Sequence, residues 1–311
     1  MFTPIQTGDG SSTFYSEAFG EWFHSREGAC REAQKTYVET AQIARRATGE
    51  KLHILDICYG LGYNTAAALE AIWPVWAQSV QGQQCQVMVK ALELDPEVPR
   101  SAIAHNLLQH YSEPVETVLR LLAADCRYRQ QNLSAELLVG DARQQVQSLV
   151  AQTWQADVVF FDPFSPPRCP QLWTVDFFQQ VAKCLKREGG VLVTYSCAAA
   201  VRAAMQQCGL VIGEIAAGGR RWPGTIAAFP TATGATGEIP EGGKPLSLQA
   251  QEHLLTRAAV PYRDPSLRAT AGEILKARSQ AQENSDRLPT GPWRRRWKAI
   301  AEAKKASEEA G

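Results

Sequence analysis

Apolar residues recur along this chain in two alternating rhythms. Short continuous apolar runs, such as Val158-Val-Phe-Phe161, predict buried strands at 52–57, 88–93, 136–139, 157–161, 190–195, 210–214 and 224–229. Between them, apolar positions spaced three and four apart predict helices at 64–73, 97–108, 115–129, 142–152, 172–186 and 198–207. Strands alternating with helices give an α/β fold. Right-handed crossovers make it a doubly wound, Rossmann-like sheet, mostly parallel. The last two strands, joined by Gly218-Gly-Arg-Arg-Trp-Pro-Gly224, read as an antiparallel terminal hairpin. A further helical pattern runs from Gly28 to Ala47, with Ala33, Tyr37, Ala41 and Ile43 as its apolar side.

These patterns divide the chain into four stretches. Residues 1–50 form a leader expected to pack on the α/β domain, and 51–230 form that domain. Residues 231–247, rich in Gly, Pro and Thr, read as a linker, and 248–311 as a basic, helical C-terminal extension. From Arg287 to Lys305 the extension carries seven Lys/Arg against one Glu, with Trp293 and Trp297 among them. That composition suits stacking on RNA and neutralising its phosphates, and equally a solvated face.

Composition narrows the function classes. The chain has 311 residues and zero formal net charge, so only local basic segments favour nucleic acid. Its apolar runs are too short to span a bilayer, and its N-terminus lacks the basic and apolar regions of a signal peptide. The eight cysteines contain no Cys-x-x-Cys pair and no partner histidines. No metal site and no disulfide frame are expected, and a reduced cytoplasmic location is.

The candidate chemistry lies at the C-terminal ends of the strands, where ligands bind to an open parallel sheet. The first strand ends in Asp56 and opens into Cys58-Tyr-Gly60-Leu-Gly62-Tyr-Asn64. Glycines there let backbone approach a ligand at a helix N-terminus. Thr65 occupies the place of a third glycine, which disfavours a pyrophosphate cradle. Glu93 ends the second strand and suits a pair of ribose hydroxyls. Asp141-Ala142 follows the third and suits an adenine amino group. A ribose acid and an adenine acid without a phosphate grip point to S-adenosylmethionine. Asp162, with Pro163, Phe164 and Ser165 in Asp162-Pro-Phe-Ser-Pro-Pro167, ends the fourth strand; the prolines stiffen a loop offering a carboxylate and carbonyls to an amine. Arg220 and Arg221 suit phosphate. Each has a plainer alternative: a simple turn at Gly60, a surface acid at Glu93, a helix cap at Asp141, a loop cap at Asp162, a solvated arginine pair.

Taken together, these residues resemble the methyltransferase domain of the MnmC/MnmD family. Asp162-Pro-Phe-Ser-Pro-Pro-Arg-Cys-Pro170-Gln-Leu-Trp173-Thr174 matches that family's D-x-F-[AS]-P-x-x-x-P-x-[ML]-W-T pattern. Thr194-Tyr195-Ser196, Val201-Arg202 and Gly219-Arg220-Arg221 match further segments, and Ser12-Thr13-x-Tyr15 and Gly28-x-x-x-Glu32 look like its leader. The similarity runs from about Ser11 to Phe229. It implies a class I methyltransferase fold with S-adenosylmethionine held by Asp56, Gly60, Gly62, Asn64, Glu93, Asp141 and Ala142. It also implies catalysis at Asp162 and substrate contacts at Pro163, Phe164, Ser165, Tyr195, Arg220 and Arg221. The implied reaction methylates the 5-aminomethyl group of (2-thio)uridine at the tRNA wobble position. The implied partners are tRNA and the enzyme complex that makes the aminomethyl precursor, without metal or membrane. Cys58 stands where the family has its first turn glycine. About eighty residues follow Phe229, with no second dinucleotide fingerprint, as in a stand-alone form rather than one fused to a flavin-dependent oxidase. Two other readings use the same residues: an aminopropyltransferase of the polyamine synthase kind, and a non-catalytic RNA-binding protein on a methyltransferase scaffold.

Overall fold

The strongest apolar runs do become the centre of a sheet. The computed structural model describes residues 2–80, 84–216, 222–230 and 238–309, the last six without their side chains. The main sheet has eight strands: β1 (Lys51–Ile57), β2 (Gln86–Glu93), β3 (Arg127–Gln130), β4 (Leu133–Val139), β5 (Val158–Phe161), β6 (Val191–Thr194), β7 (Val211–Ile215) and β8 (Gly224–Ala228). Their order is β7-β8-β6-β5-β1-β2-β4-β3. The inner five, β6 to β4, run parallel, while β3, β7 and β8 pair antiparallel at the two edges. This is the class I methyltransferase architecture.

Side-chain alternation explains the continuous apolar runs. In one core, Ile54, Val158, Phe160 and Val193 meet Tyr37, Leu69 and Leu122. On the opposite face, Leu55, Ile57, Val159, Phe161 and Leu192 meet Trp173, Phe178 and Met205. Successive strand residues point to opposite faces, so a strand covered on both sides must be apolar throughout. The crossover helices are α1 (Tyr63–Gln78), α2 (Glu97–Ala104), α3 (Glu113–Asp125), α4 (Ala142–Ala151), α5 (Val175–Lys183) and α6 (Ala199–Gln207). The chain winds from β1 outward through β2 and β4, then returns to β5 beside β1. The strand order reverses there, and β1 and β5 flank the crevice that forms.

Several elements differ from the sequence expectation. Helix α1 continues through Pro74 to Gln78; proline removes one hydrogen bond, but the last turn is tied down by Trp76, whose indole donates to the Cys85 carbonyl (3.1 Å). Helix α3 stops at Asp125 because Cys126 adopts a left-handed conformation (φ 57°), and the next residues form β3 instead of more helix. The leader pattern from Gly28 is interrupted: Ala29–Glu32 is α-helical, Ala33–Glu39 is a π-helix, and left-handed Gln42 (φ 54°) separates these from a short helix at Ile43–Arg46. Ahead of them, Tyr15–Ser16 and Glu21–Trp22 form a small antiparallel ribbon. Of residues 231–247, read as linker, 231–237 fall outside the described residues, and within the rest Lys244 joins the sheet edge, where it exchanges both backbone hydrogen bonds with Glu214 (2.8 Å each).

The C-terminal extension is built into the second core. It holds α7 (Leu248–Leu254), α8 (Ala271–Glu283) and α9 (Thr290–Glu309). Tyr262, Leu267 and Ile274 pack in the same cluster as Phe161, Trp173 and Phe178. The Val175 N–H donates to the Tyr262 carbonyl (3.1 Å), and Arg263 pairs with Asp176 (3.0 Å). Thr270 and Glu273 cap α8 reciprocally. Ile274, 1% exposed, anchors that helix. Ile274→Ala is expected to cost roughly 2–5 kcal/mol, the usual loss for a buried aliphatic side chain. Urea unfolding of the whole chain measures it; an unchanged midpoint would mean the extension is detachable from the sheet.

Candidate active site

The turn after β1 holds three residues of positive φ, two of them glycines. Gly60 and Gly62 have positive φ (56° and 91°), and a Cβ on Gly62 would lie 2.6 Å from the Tyr59 hydroxyl. Cys58 also takes a left-handed conformation (φ 67°), at a cost of about 1–2 kcal/mol. Glu93 braces this turn from β2. One carboxylate oxygen accepts from the Gly60 N–H (2.8 Å) and the other from the Asp95 N–H (3.0 Å). Burial raises the Glu93 pKa against these bonds. Beneath the turn Asp56 is fully buried and accepts from the Thr65 hydroxyl (2.7 Å). Burial lifts its pKa to about 7, with the charge of Glu93 adding to the rise.

The facing wall is the proline-rich loop after β5. Asn64, in the first turn of α1, donates to Asp162 (2.8 Å). The loop carbonyls, expected to be free for an amine, already accept protein donors: Tyr195 hydroxyl to Pro163 and Trp173 indole to Phe164, both 2.8 Å. The leader reaches the same loop. Glu21 accepts from the Ser165 N–H (2.9 Å) and from its hydroxyl. Phe164 stacks on Phe19 at 4.4 Å between centroids and meets Phe23 edge-on at 5.0 Å.

A cavity of about 580 Å³ opens between these walls, within the range of roughly 300–1,000 Å³ usual for small-molecule sites. Of the residues singled out from sequence, Gly60, Glu93, Asp141, Ala142, Asp162, Pro163, Phe164, Ser165 and Tyr195 line it. Asp56, Gly62 and Asn64 do not: they lie behind the wall and hold the turn and Asp162. Arg220 and Arg221 fall outside the described residues. Asp141 caps α4, accepting from the Arg143 N–H (2.9 Å), and its carboxylate is also paired with the Arg143 guanidinium (2.7 Å). Residues not singled out beforehand also line the cavity, chiefly Phe19, Glu21, Phe23, Arg143 and Gln171.

Behind the wall, Asp56 Oδ1 and Asn64 Oδ1 are buried with no hydrogen-bond partner among the described residues. In the cavity itself, the acidic ends of three strands, at Glu93, Asp141 and Asp162, suit a ligand that brings hydroxyl and ammonium donors. No group of three or more His, Cys, Asp or Glu among the described residues could hold a metal, and no described helix is long and apolar enough to cross a membrane.

Residues 99–230 match the family described as S-adenosyl-L-methionine-dependent methyltransferase. An uncharacterised protein of Methanocaldococcus jannaschii is 30% identical over 280 residues, covering 90% of this chain and 72% of its own. The crystal structure of MnmC2 from Aquifex aeolicus superposes with a TM-score of 0.74 at 28% identity, covering 91% of this chain and 85% of that one. The chain belongs to the MnmC/MnmD-type methyltransferase family. It is an S-adenosylmethionine-dependent methyltransferase. The tRNA 5-methylaminomethyl-2-thiouridine biosynthesis bifunctional protein MnmC of Ralstonia nicotianae is 28% identical over 243 residues, 74% of this chain. The match covers 35% of that protein, so this MnmC/MnmD-type chain spans about a third of the bifunctional relative.

The buried acids of this MnmC/MnmD-type site set a pH dependence. Folded Asp56 keeps its proton to about pH 7, whereas the unfolded chain releases it near 3.8. The folded state therefore binds more protons between those values, and stability is expected to fall as pH rises through them. Asp56→Asn, which cannot ionise, should flatten that slope. Urea midpoints of both proteins without ligand, from about pH 4 to 8, test it; parallel curves would assign the slope to other groups.

Proposed function

We propose that this chain methylates the 5-aminomethyl group of (2-thio)uridine at the tRNA wobble position, giving 5-methylaminomethyl-(2-thio)uridine. The observation that carries this reading is Asp162, a carboxylate held by Asn64 on the wall of a cavity faced with Phe19, Phe23 and Phe164. The MnmC relatives, named for tRNA 5-methylaminomethyl-2-thiouridine biosynthesis, support the choice of nucleoside.

Gly60, Glu93, Asp141 and Ala142 would hold S-adenosylmethionine, with Glu93 toward the ribose and Asp141 toward adenine. When bound, S-adenosylmethionine supplies a methyl group made electrophilic by its sulfonium. The chain supplies alignment and a neutral amine. A free alkylamine is mostly protonated near neutrality, as lysine is. Asp162 holds the ammonium and takes its proton, while the phenylalanine wall disfavours the charged form and excludes water. The Tyr195 and Trp173 bonds leave the loop carbonyls less available, so the amine is oriented chiefly by the carboxylate.

Mass analysis of tRNA that bears the unmethylated amine, after incubation with enzyme and S-adenosylmethionine, tests the assignment. One added methyl on the wobble uridine is expected; an unmodified wobble nucleoside would refute it. Asp162→Asn keeps the Asn64 contact and removes the charge. Its turnover is expected to fall roughly a hundredfold, with cofactor affinity near wild type and partial recovery at higher pH. Normal turnover at neutral pH would leave Asp162 as a loop cap.

The basic tail acts by charge and not by stacking. Trp293 stacks on His253 at 3.9 Å and donates to the Gln249 carbonyl (3.2 Å), and Trp297 donates to Glu252 (2.7 Å). Both tryptophans thus dock α9 on α7, while Arg294, Arg295 and Lys298 are exposed. Replacing these three with alanine is expected to weaken tRNA binding and lower its salt slope by about 2–3, with cofactor binding intact. Equal tRNA affinity at every salt concentration would give α9 a purely structural role.

A further inference from the structure

One heavily hydrogen-bonded residue at the cavity is used by neither the sequence motifs nor the proposed chemistry. Arg143 lines the cavity one residue beyond Ala142, and its side chain is 13% exposed. Its Nε and Nη2 donate to the Asp141 carboxylate at 3.2 and 2.7 Å. Its Nη1 donates to Asp264 Oδ2 and to the Ala269 carbonyl, both at 3.0 Å. The planar guanidinium therefore spans two segments 121 residues apart, on two of its edges at once.

The far anchor is rigid. The Asp264 side chain is fully buried. Its Oδ1 accepts from the Ser266 hydroxyl (2.8 Å) and from the Arg268 and Ala269 N–H groups (3.2 Å each). Its own N–H donates to Asp176 (2.7 Å), on α5. Leu267, within the same loop, is buried in the second core. The loop from 264 to 269 is thus folded around one carboxylate whose second oxygen is given to Arg143.

We infer that Arg143 is a positioning residue through which Asp264 of the C-terminal extension sets the orientation of Asp141, and so sets recognition of the adenine amino group. The inference rests on the proposed placement of Asp141 at adenine. The α4 cap bond from the Arg143 N–H holds Asp141 Oδ1 (2.9 Å) but does not by itself fix the plane of the carboxylate, which is 30% exposed. Two-point pairing with the Arg143 guanidinium fixes that plane, and with it the direction of the lone pairs left for the exocyclic amine. Lysine at 143 would keep the charge but not the fork, so it could not hold Asp141 and Asp264 together.

Calorimetry with S-adenosylhomocysteine and its deaminated analogue S-inosylhomocysteine, on the full chain, separates positioning from general stability. The wild type is expected to prefer the adenine form by roughly tenfold or more, the discrimination that one hydrogen bond to a charged acceptor supplies. Arg143→Lys and Asp264→Asn are each expected to bring that ratio within about threefold, mainly by weakening the adenine form. If Asp264→Asn does not fold, Arg143→Lys decides alone. An unchanged ratio in the folded variants, even with both affinities lowered together, would overturn the positioning role. A wild type without preference would instead refute the placement of Asp141 at adenine, and the inference with it.

Discussion

Carboxylates concentrated on one edge of a sheet repel one another and lose hydration. They stay in place only where donors meet them. The donors here come from fixed structure. Backbone N–H groups of Gly60 and Asp95 hold Glu93, the Thr65 hydroxyl holds Asp56, the Asn64 amide holds Asp162, and the Arg143 fork holds Asp141. Two of these donors, Asn64 and Thr65, stand side by side in the first turn of α1, so the helix that follows the glycine turn serves two strands at once. Moving any one strand end would leave a buried charge without its partner. The positions of β1, β2 and β5 are therefore coupled at the site by more than the sheet's own ladder.

That coupling also bears on how the site works. Geometry imposed by donors within the protein exists before any ligand arrives, so binding need not supply the cost of ordering. The raised pKa values of Asp56 and Glu93 are the counterpart of this arrangement. Burial that stiffens the rim also makes its negative charge costly, which is the environment a cationic cofactor relieves.

The strand–helix alternation and the acid at each strand end were legible in the sequence because both are local. A run such as Val158–Phe161 states its own burial, and Asp162 follows it directly. The glycine turn was legible for the same reason, although its roles separate in space: Gly60 faces the cavity while Gly62 yields to the Tyr59 ring. What stayed hidden depends on distant partners. Nothing near Glu21 reveals that it meets Ser165, 144 residues away, and nothing around Arg143 reveals Asp264. The leader's ribbon of paired dipeptides is too short for periodicity to register, and Cys126 ends a helix through a backbone angle that cysteine rarely adopts. In the tail the composition suggested tryptophans available for stacking; their partners His253, Gln249 and Glu252 lie forty or more residues earlier in the chain and use them for docking.

The Arg143 bridge has a consequence for the order in which the protein is made. Synthesis runs from the N-terminus, and domains fold as their residues emerge. A nascent chain that has released every strand of the sheet, through Ala228, still lacks Asp264, Ala269 and the Tyr262 side chain that packs beside Trp173. The sheet can form first, but Asp141 then has a guanidinium neighbour with no second anchor. Arg143, on the cavity wall, gains its second anchor only when the extension has left the ribosome and docked, which makes completion of this bridge a late, long-range event in folding.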